Sequence, residues 1–264
     1  MRNGIEISLD PVGSNIGAFF LLGRFQVRSA GQAVAAPHGR KIQDLLGYLL
    51  LFRHRPHHRE LLADALWSGS DTPQARKYLR QALWHLQSAV GRLASSDPLL
   101  IVESDWIRVN PEARIWLDIA EFEQAFDQAR GIHGRDLSPA HAAALKRAAT
   151  LYTGELLEGW YQDWCVFERE RFKARYLSTL EKLLEYADAR HELEDALLYG
   201  EQVLQHDRAH ERTHARMMRL HYEAGDRTAA LRQYRLCVEV LDREFGARPA
   251  ARTIELYERI RDDR

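Results

Sequence analysis

The chain is poor in cysteine. Only Cys165 and Cys237 occur in 264 residues, neither with a partner nearby in sequence. A disulfide-stapled scaffold is therefore excluded, and a reducing, cytoplasmic compartment is the simpler expectation. Long apolar runs are also missing. IGAFFLLG (16–23) and LLGYLLLF (45–52) fall far short of the ~20 residues a spanning helix needs. The first is followed by Arg24, Gln26 and Arg28 rather than a small-residue cleavage site, so no signal peptide is expected. No GxxxxGK[ST] phosphate loop and no HExxH metal motif appear, and no nucleophile and base stand at a motif spacing. The reading is accordingly a non-enzyme with no cofactor and no membrane association. What remains is ordinary globular composition, 45% apolar and 28% charged, on a chain long enough for two domains that each bury a core.

Net charge is close to zero, at −1, but it is unevenly distributed. Residues 1–37 carry +1, residues 38–92 carry +5 and residues 93–264 carry −7. Five histidines (His38, His54, His57, His58 and His85) lie in the basic stretch and can add charge near phosphate. An isoelectric point of 6.9 thus conceals a basic first part behind an acidic second one, and a polyanionic partner for the first part is not excluded.

Within that basic stretch, residues 71–91 read DTPQARKYLRQALWHLQSAVG. Thr72 is expected to cap a helix, with Pro73 at its first position. Leu79, Leu83, Leu86, Val90 and Leu93 then recur at i, i+4, i+7, i+11 and i+14, one buried stripe. The opposite face carries Arg76, Lys77, Arg80, Gln81, Trp84, His85, Gln87 and Ser88. These are long donors with no carboxylate among them, suited to base edges and phosphates in a DNA major groove. Upstream, GRKIQDLLGYLLLF (39–52) and RELLADALW (59–67) have helical spacing, separated by RHRPHH, which is expected to form a flexible solvated turn. SGSDTP is a second turn. Downstream, LLIVE (99–103) and WIRV (106–109) flank Ser104-Asp105, a hairpin signal, with Arg108 on its second strand. Three helices and a hairpin make the order of a winged helix, preceded by a small sheet from FFLLGRFQV (19–27) and a run at 32–35.

From Asp118 onward the pattern is helical. ELEDALLYGEQVL aligns with DRTAALRQYRLCV at an offset of 34 residues, so that Ala196 meets Ala230, Leu197 meets Leu231 and Val203 meets Cys237. That period belongs to tetratricopeptide helix pairs, and about three pairs are expected. His210 and His214 at i, i+4 form half a metal-ligand pattern, for which interhelical hydrogen bonding is the preferred reading. Trp160, Tyr161, Trp164 and Phe167 form an aromatic group assigned to core packing between the domains, and Cys165 is expected to be a buried small hydrophobe.

These segments together resemble the SARP family of transcriptional activators. RKIQDLLGYLLL, LLADALW, ARKYLRQALWHLQSAVG, DWIRV and WLDIAEFE resemble its OmpR-type winged helix. LYTGELLEGWYQDWCVFERERF, DRAHERTHARMMRLHYEAGDRTAALRQYR and LDREFGARPAARTIELYERI resemble its bacterial transcriptional activation domain, through Glu211, His214, Met218, Gly225, Ala230, Leu231, Tyr234, Gly246, Pro249 and Tyr257. The resemblance implies a mainly α fold, with a winged helix at 17–117 and a tetratricopeptide-like domain at 118–264. It further implies binding to direct-repeat promoter DNA, pairing of the protein with itself there, and recruitment of RNA polymerase. The DNA contacts would come from Arg76, Lys77, Arg80, Gln81, Trp84, His85 and Arg108. Polymerase would be touched by Gly69, Ser70 and Asp71, in the turn joining the two helices of the motif. Two departures weaken phosphate contact. The later part of the recognition helix reads Trp84-His85-Leu86-Gln87-Ser88 where relatives are arginine-rich, and the wing turn carries Glu103 and Asp105, which repel phosphate. They support an alternative, a protein-interaction scaffold whose winged helix has lost DNA binding.

Overall fold

The computed structural model describes residues 17–29, 32–34, 36–90 and 97–263. They are mainly helical and divide into two compact units. One comprises the described residues through Glu121 together with Thr153–Arg169, the other Phe122–Tyr152 together with the chain from Glu170 onward.

The first unit opens with three short strands, β1 (Gly17–Phe20), β2 (Gln26–Ser29) and β3 (Gln32–Val34), joined antiparallel. Helices α1 (Arg40–Leu51) and α2 (Arg59–Leu66) follow, with a two-residue strand β4 (His57–His58) between them. Then come α3 (Thr72–Val90) and a hairpin of β5 (Leu100–Val102) and β6 (Trp106–Val109). A last strand, β7 (Ile115–Leu117), returns parallel to β1 and completes a sheet ordered β3-β2-β1-β7. Sequence reasoning anticipated the small sheet but not β7. IWL is too short to show an alternation, and its parallel pairing is made across almost a hundred residues. Asp118, just past β7, is fully buried. It accepts the backbone N–H groups of Leu21, Leu22 and Ile119, each at 2.7 Å, tying the end of β1 to the start of the next helix. Burial pushes its carboxyl up to about 7, against the pull of those three donors.

The Leu stripe is realised as core. Leu79, Leu83, Leu86 and Val90 are buried with Ala75 and Ala82, while Leu93 lies outside the described residues. Each buried leucine or valine side chain contributes about 1.5–3 kcal/mol by leaving water. Two local expectations need correction. The cap of α3 is Asp71, whose carboxylate accepts the Gln74 N–H at 2.9 Å, so Thr72 already stands inside the helix. A carboxylate accepts as well as a hydroxyl and adds negative charge at the positive end of the helix dipole. RHRPHH is not a solvated turn throughout. His57 and His58 pair with Ile107 and Trp106 of β6, and His57 is buried between Tyr48 and Phe52. The apolar faces of the two rings and the unpaired edge of β6 give the dipeptide a place that its polarity did not reveal.

Residues 153–169 pack on α1. Trp160 is only 3% exposed, sits over the Arg40 guanidinium at 4.7 Å and presses on Gly47. Trp164 meets Tyr48 edge-on at 5.2 Å. The turn is pinned by Arg169, which donates to the carbonyls of Leu156, Leu157 and Trp160 at 2.9–3.1 Å. Cys165 is buried as expected, its thiol pushed up to about 11 by that burial. The four aromatics do not form one core group, since Tyr161 and Phe167 are 83% and 77% exposed.

Helix α4 (Asp118–Gln128) passes from the first unit into the second after Glu121 and leads to a 3-10 turn (Gly134–Asp136) and α5 (Pro139–Leu151), which the Ser138 hydroxyl caps. Helix α6 (Asp163–Asp188) crosses the boundary between the units, and α7 (Leu193–His206), α8 (Glu211–Glu223), α9 (Arg227–Phe245) and α10 (Ala251–Asp262) follow. The 34-residue period is physical: α7 and α9 begin 34 residues apart, and Ala196, Ala230, Val203 and Cys237 are all fully buried. His214 donates from Nε2 to the Arg208 carbonyl at 2.8 Å, and its Nδ1 accepts from the Gln233 amide of α9 at 2.7 Å. His210 bonds Glu181 of α6 at 2.7 Å. Both histidines join helices. Among the described residues no three potential metal ligands are grouped.

Candidate nucleic-acid interface

Helix α3 shows two faces with different duties. One supplies core to the first unit. Along the other, Lys77, Arg80, Gln81, Trp84, His85 and Ser88 are all exposed. At ~3.6 residues per turn these six occupy a single arc of about 140°. Trp84 is 67% exposed, an unusual placement for so large a ring, and lies edge-on to His85 with centroids 4.8 Å apart. Lys77 and Arg80 have no ion-pair partner among the described residues, so their donors are free for a ligand.

Arg76 differs from its neighbours. Its guanidinium is paired with Glu60 of α2, both side chains about half exposed. An exposed pair of this kind is worth only ~0–1 kcal/mol and can be exchanged for a phosphate, but in the free protein Arg76 is occupied. The partner lies sixteen residues upstream, beyond the i,i+4 pairs that sequence spacing reveals.

The hairpin has the form its sequence implied. The Glu103 N–H reaches the Trp106 carbonyl at 2.9 Å around Ser104-Asp105, and Arg108 is exposed on β6. Its tip is tethered. The Arg59 N–H donates to the Asp105 carbonyl at 2.9 Å, and its guanidinium donates to the Ser104 carbonyl at 3.0 Å. Arg59 was not among the sequence candidates; it opens α2 directly after β4, and only the pairing of β4 with β6 brings it to the wing. Trp106 is partly exposed and meets His58 edge-on at 5.2 Å.

Two further expectations change at this surface. His57 adds no charge, because burial lowers its pKa and leaves it neutral. In the turn before α3, Gly69 and Asp71 are exposed and Ser70 is half-buried. Asp71 is committed through its carboxylate to capping the helix, so it has a structural duty whatever else it touches.

A bacterial transcriptional activator domain model matches residues 117–261. Comparison with curated proteins yields no match. Among solved structures, one of Mycobacterium tuberculosis EmbR in complex with a low-affinity phosphopeptide is similar, with a TM-score of 0.73 at 20% identity. The alignment covers 94% of this chain and 65% of that one, so this chain spans about two thirds of the length of the protein it matches. At that identity the likeness establishes the fold, and it extends over both units. The family match covers more than half of the residues: the chain belongs to the bacterial transcriptional activator domain family.

Proposed function

We propose that this protein is a sequence-specific DNA-binding activator that reads double-stranded promoter DNA with the exposed face of α3 and recruits RNA polymerase. The observation that carries the reading is the single arc of unpaired donors, Lys77, Arg80, Gln81 and His85, around an exposed Trp84, on a helix whose other face is core. A major groove admits an α-helix, and Arg to guanine, Gln to adenine and an apolar ring to a thymine methyl are the pairings such a face can make. Arg108 on β6 supplies a phosphate contact, and Arg76 joins once a phosphate replaces Glu60. The tethered, acidic wing tip contributes little, so phosphate contacts are few and a single copy binds weakly. Direct-repeat half-sites, with two copies on one face of the duplex, offset that weakness. Gly69, Ser70 and Asp71 project beside the DNA-docking helix and form the polymerase contact. Among the described residues no helix is long and apolar enough to cross a membrane, and a reader of chromosomal DNA works in the bacterial cytoplasm.

The test is an equilibrium titration against duplex promoter DNA at several salt concentrations. A steep fall of affinity with salt, and a loss of ~1–3 kcal/mol with altered preference at one base pair for Arg80→Ala, support the reading. The Arg76–Glu60 pair and the acidic wing favour a second reading, a protein-interaction scaffold without DNA affinity. It predicts no salt-dependent binding at any sequence.

A further inference from the structure

A second concentration of positive charge lies in the acidic part of the chain. Arg212, Arg216 and Arg219 stand at i, i+4 and i+7 on α8, hence along one side of it. They face two carboxylates of α6. Glu185 accepts from Arg212 at 2.6 Å and lies 3.1 Å from Arg216, while Asp188 pairs with Arg219 and lies 3.8 Å from Arg216. Arg219 also donates to Glu223, one turn further along α8, at 2.7 Å, so three guanidiniums share three carboxylates. The Glu185 carboxylate also accepts the Gly134 N–H at 3.0 Å, which holds the 3-10 turn against α6. That turn places Arg135, exposed and without a partner among the described residues, on the rim. The result is a groove of about 390 Å³ lined by four arginines and two acids, and with Glu223 holding Arg219 at its end the local excess is one positive charge. Each guanidinium carries five donors, so most of them remain unmatched. The two carboxylates are largely buried and fix the arginine heads before any ligand arrives, which lowers the ordering cost of binding.

We propose that this groove docks an extended acidic peptide segment of a partner protein, with carboxylates at alternate positions. Alanine is the only apolar residue lining it, through Ala189, and its one ring is the polar imidazole of His133. It therefore lacks the apolar wall that a metabolite or nucleotide site normally has. From Arg212 to Arg219 the helix advances ~10.5 Å at ~1.5 Å per residue. An extended peptide repeats its same-side groups every ~6.6–6.8 Å, so carboxylates at alternate positions span the ladder. A long polyanion such as duplex DNA is disfavoured, because residues 93–264 carry a net −7. A short acidic segment meets only charges within a Debye length of ~8 Å at physiological salt, where the four arginines outnumber Glu185, Asp188 and Glu223. This site is separate from the α3 face and does not depend on how that face is used.

The experiment is fluorescence anisotropy of the full chain with a labelled peptide of alternating Glu and Gly. Saturable binding that weakens with salt is expected. Arg135→Ala and Arg212→Ala should each weaken it about tenfold, the scale of losing one charge-assisted contact. Both positions are exposed, so melting temperatures should not move. Arg232→Ala, an exposed arginine on α9, and saturating promoter duplex should leave binding unchanged. Lack of saturable binding, or equal binding by the groove variants, overturns the proposal. Displacement by duplex means the peptide sat on α3, and displacement by inorganic diphosphate as readily as by unlabelled peptide means a small-anion site; either result also overturns it.

Discussion

Gly47→Ala offers a sharp test of the packing between α1 and residues 153–169, because the sign of its effect depends on one side chain. Gly47 is buried in the middle of α1, where alanine should stabilise the helix by about 0.8–1 kcal/mol. A Cβ at that position would stand 2.7 Å from Cζ3 and 2.9 Å from Cη2 of Trp160, closer than such contacts occur. The ring has little room to retreat. Arg40 lies over it, Phe25 is 5.6 Å away and Trp164 6.2 Å away between centroids. Overpacking of this kind costs about 1–3 kcal/mol, so a net loss of roughly 1–2 kcal/mol is expected after the propensity gain. Trp160→Phe removes the clashing part of the indole. In that background Gly47→Ala should become stabilising by up to about 1 kcal/mol, giving a coupling of roughly 2 kcal/mol across the double-mutant cycle. Since two compact units make a single global unfolding free energy ill-defined, amide exchange of α1 is the suitable measurement. A neutral or stabilising Gly47→Ala in the parent chain would refute the contact and, with it, the assignment of residues 153–169 to the first unit.

Leu83→Ala should destabilise the first unit by about 2–5 kcal/mol through a cavity, whereas Arg80→Ala should leave its stability unchanged and be felt only in DNA titrations. Asp71→Ala should cost about 0.5–2 kcal/mol of helix stability by removing the cap, seen as a lower melting temperature. Gly69 and Ser70 variants are therefore the cleaner probes of polymerase contact: transcription should fall while DNA affinity holds, and parallel loss of both would rule the contact out. His210 has its pKa raised above 6.5 by the hydrogen bond to Glu181. Its contribution is complete below 6.5 and is lost as pH rises through the higher folded value, so the stability difference between the parent and His210→Gln should shrink across that window. A difference that grows with pH would mean that the histidine is neutral in the fold. Inserting ~5 base pairs between direct-repeat half-sites turns one bound copy by half a helical turn and should abolish paired occupancy in a footprint, while unchanged occupancy would exclude cooperation between copies.

Much of the architecture was legible because it is local. The Leu79, Leu83, Leu86 and Val90 stripe, the Ser104-Asp105 hairpin and the 34-residue spacing of Ala196 and Ala230 are set by residues within one element or by a repeat, and periodicity reports both. The donors Lys77, Arg80 and Gln81 were legible for the same reason, since whatever stands opposite a buried stripe is exposed. Pairings between distant segments were not. Strand β7 is three residues long, and His57-His58 look like solvent-exposed residues until β6 is placed beside them. The Arg76–Glu60 pair and the Arg59 tether depend on the same tertiary approach. The arginines of α8 were visible as a spacing, but their meaning rests on Glu185 and Asp188 of α6, which no helical period connects to them.

The tether at the wing and the cap at α3 both bear on how rigid this surface is in the free protein. Arg59 starts α2 and grips the hairpin tip, Glu60 beside it grips Arg76, and Asp71 fixes the first turn of α3. One stretch of α2 thus connects the wing to α3 through two consecutive residues. If Arg59 and Glu60 act as a brace, Glu60→Gln should release Arg76 without moving the wing. DNA affinity should then rise, because the guanidinium no longer has to leave a carboxylate and a like charge is removed from the phosphate path. Arg59→Gln should act in the other direction. It frees the hairpin tip while deleting a positive charge from the DNA-facing side, so binding should weaken and its salt slope should flatten. A Glu60→Gln variant that binds the operator more weakly than the parent would show that Arg76 needs its carboxylate for position, and that the pair is part of the recognition surface rather than a competitor for it.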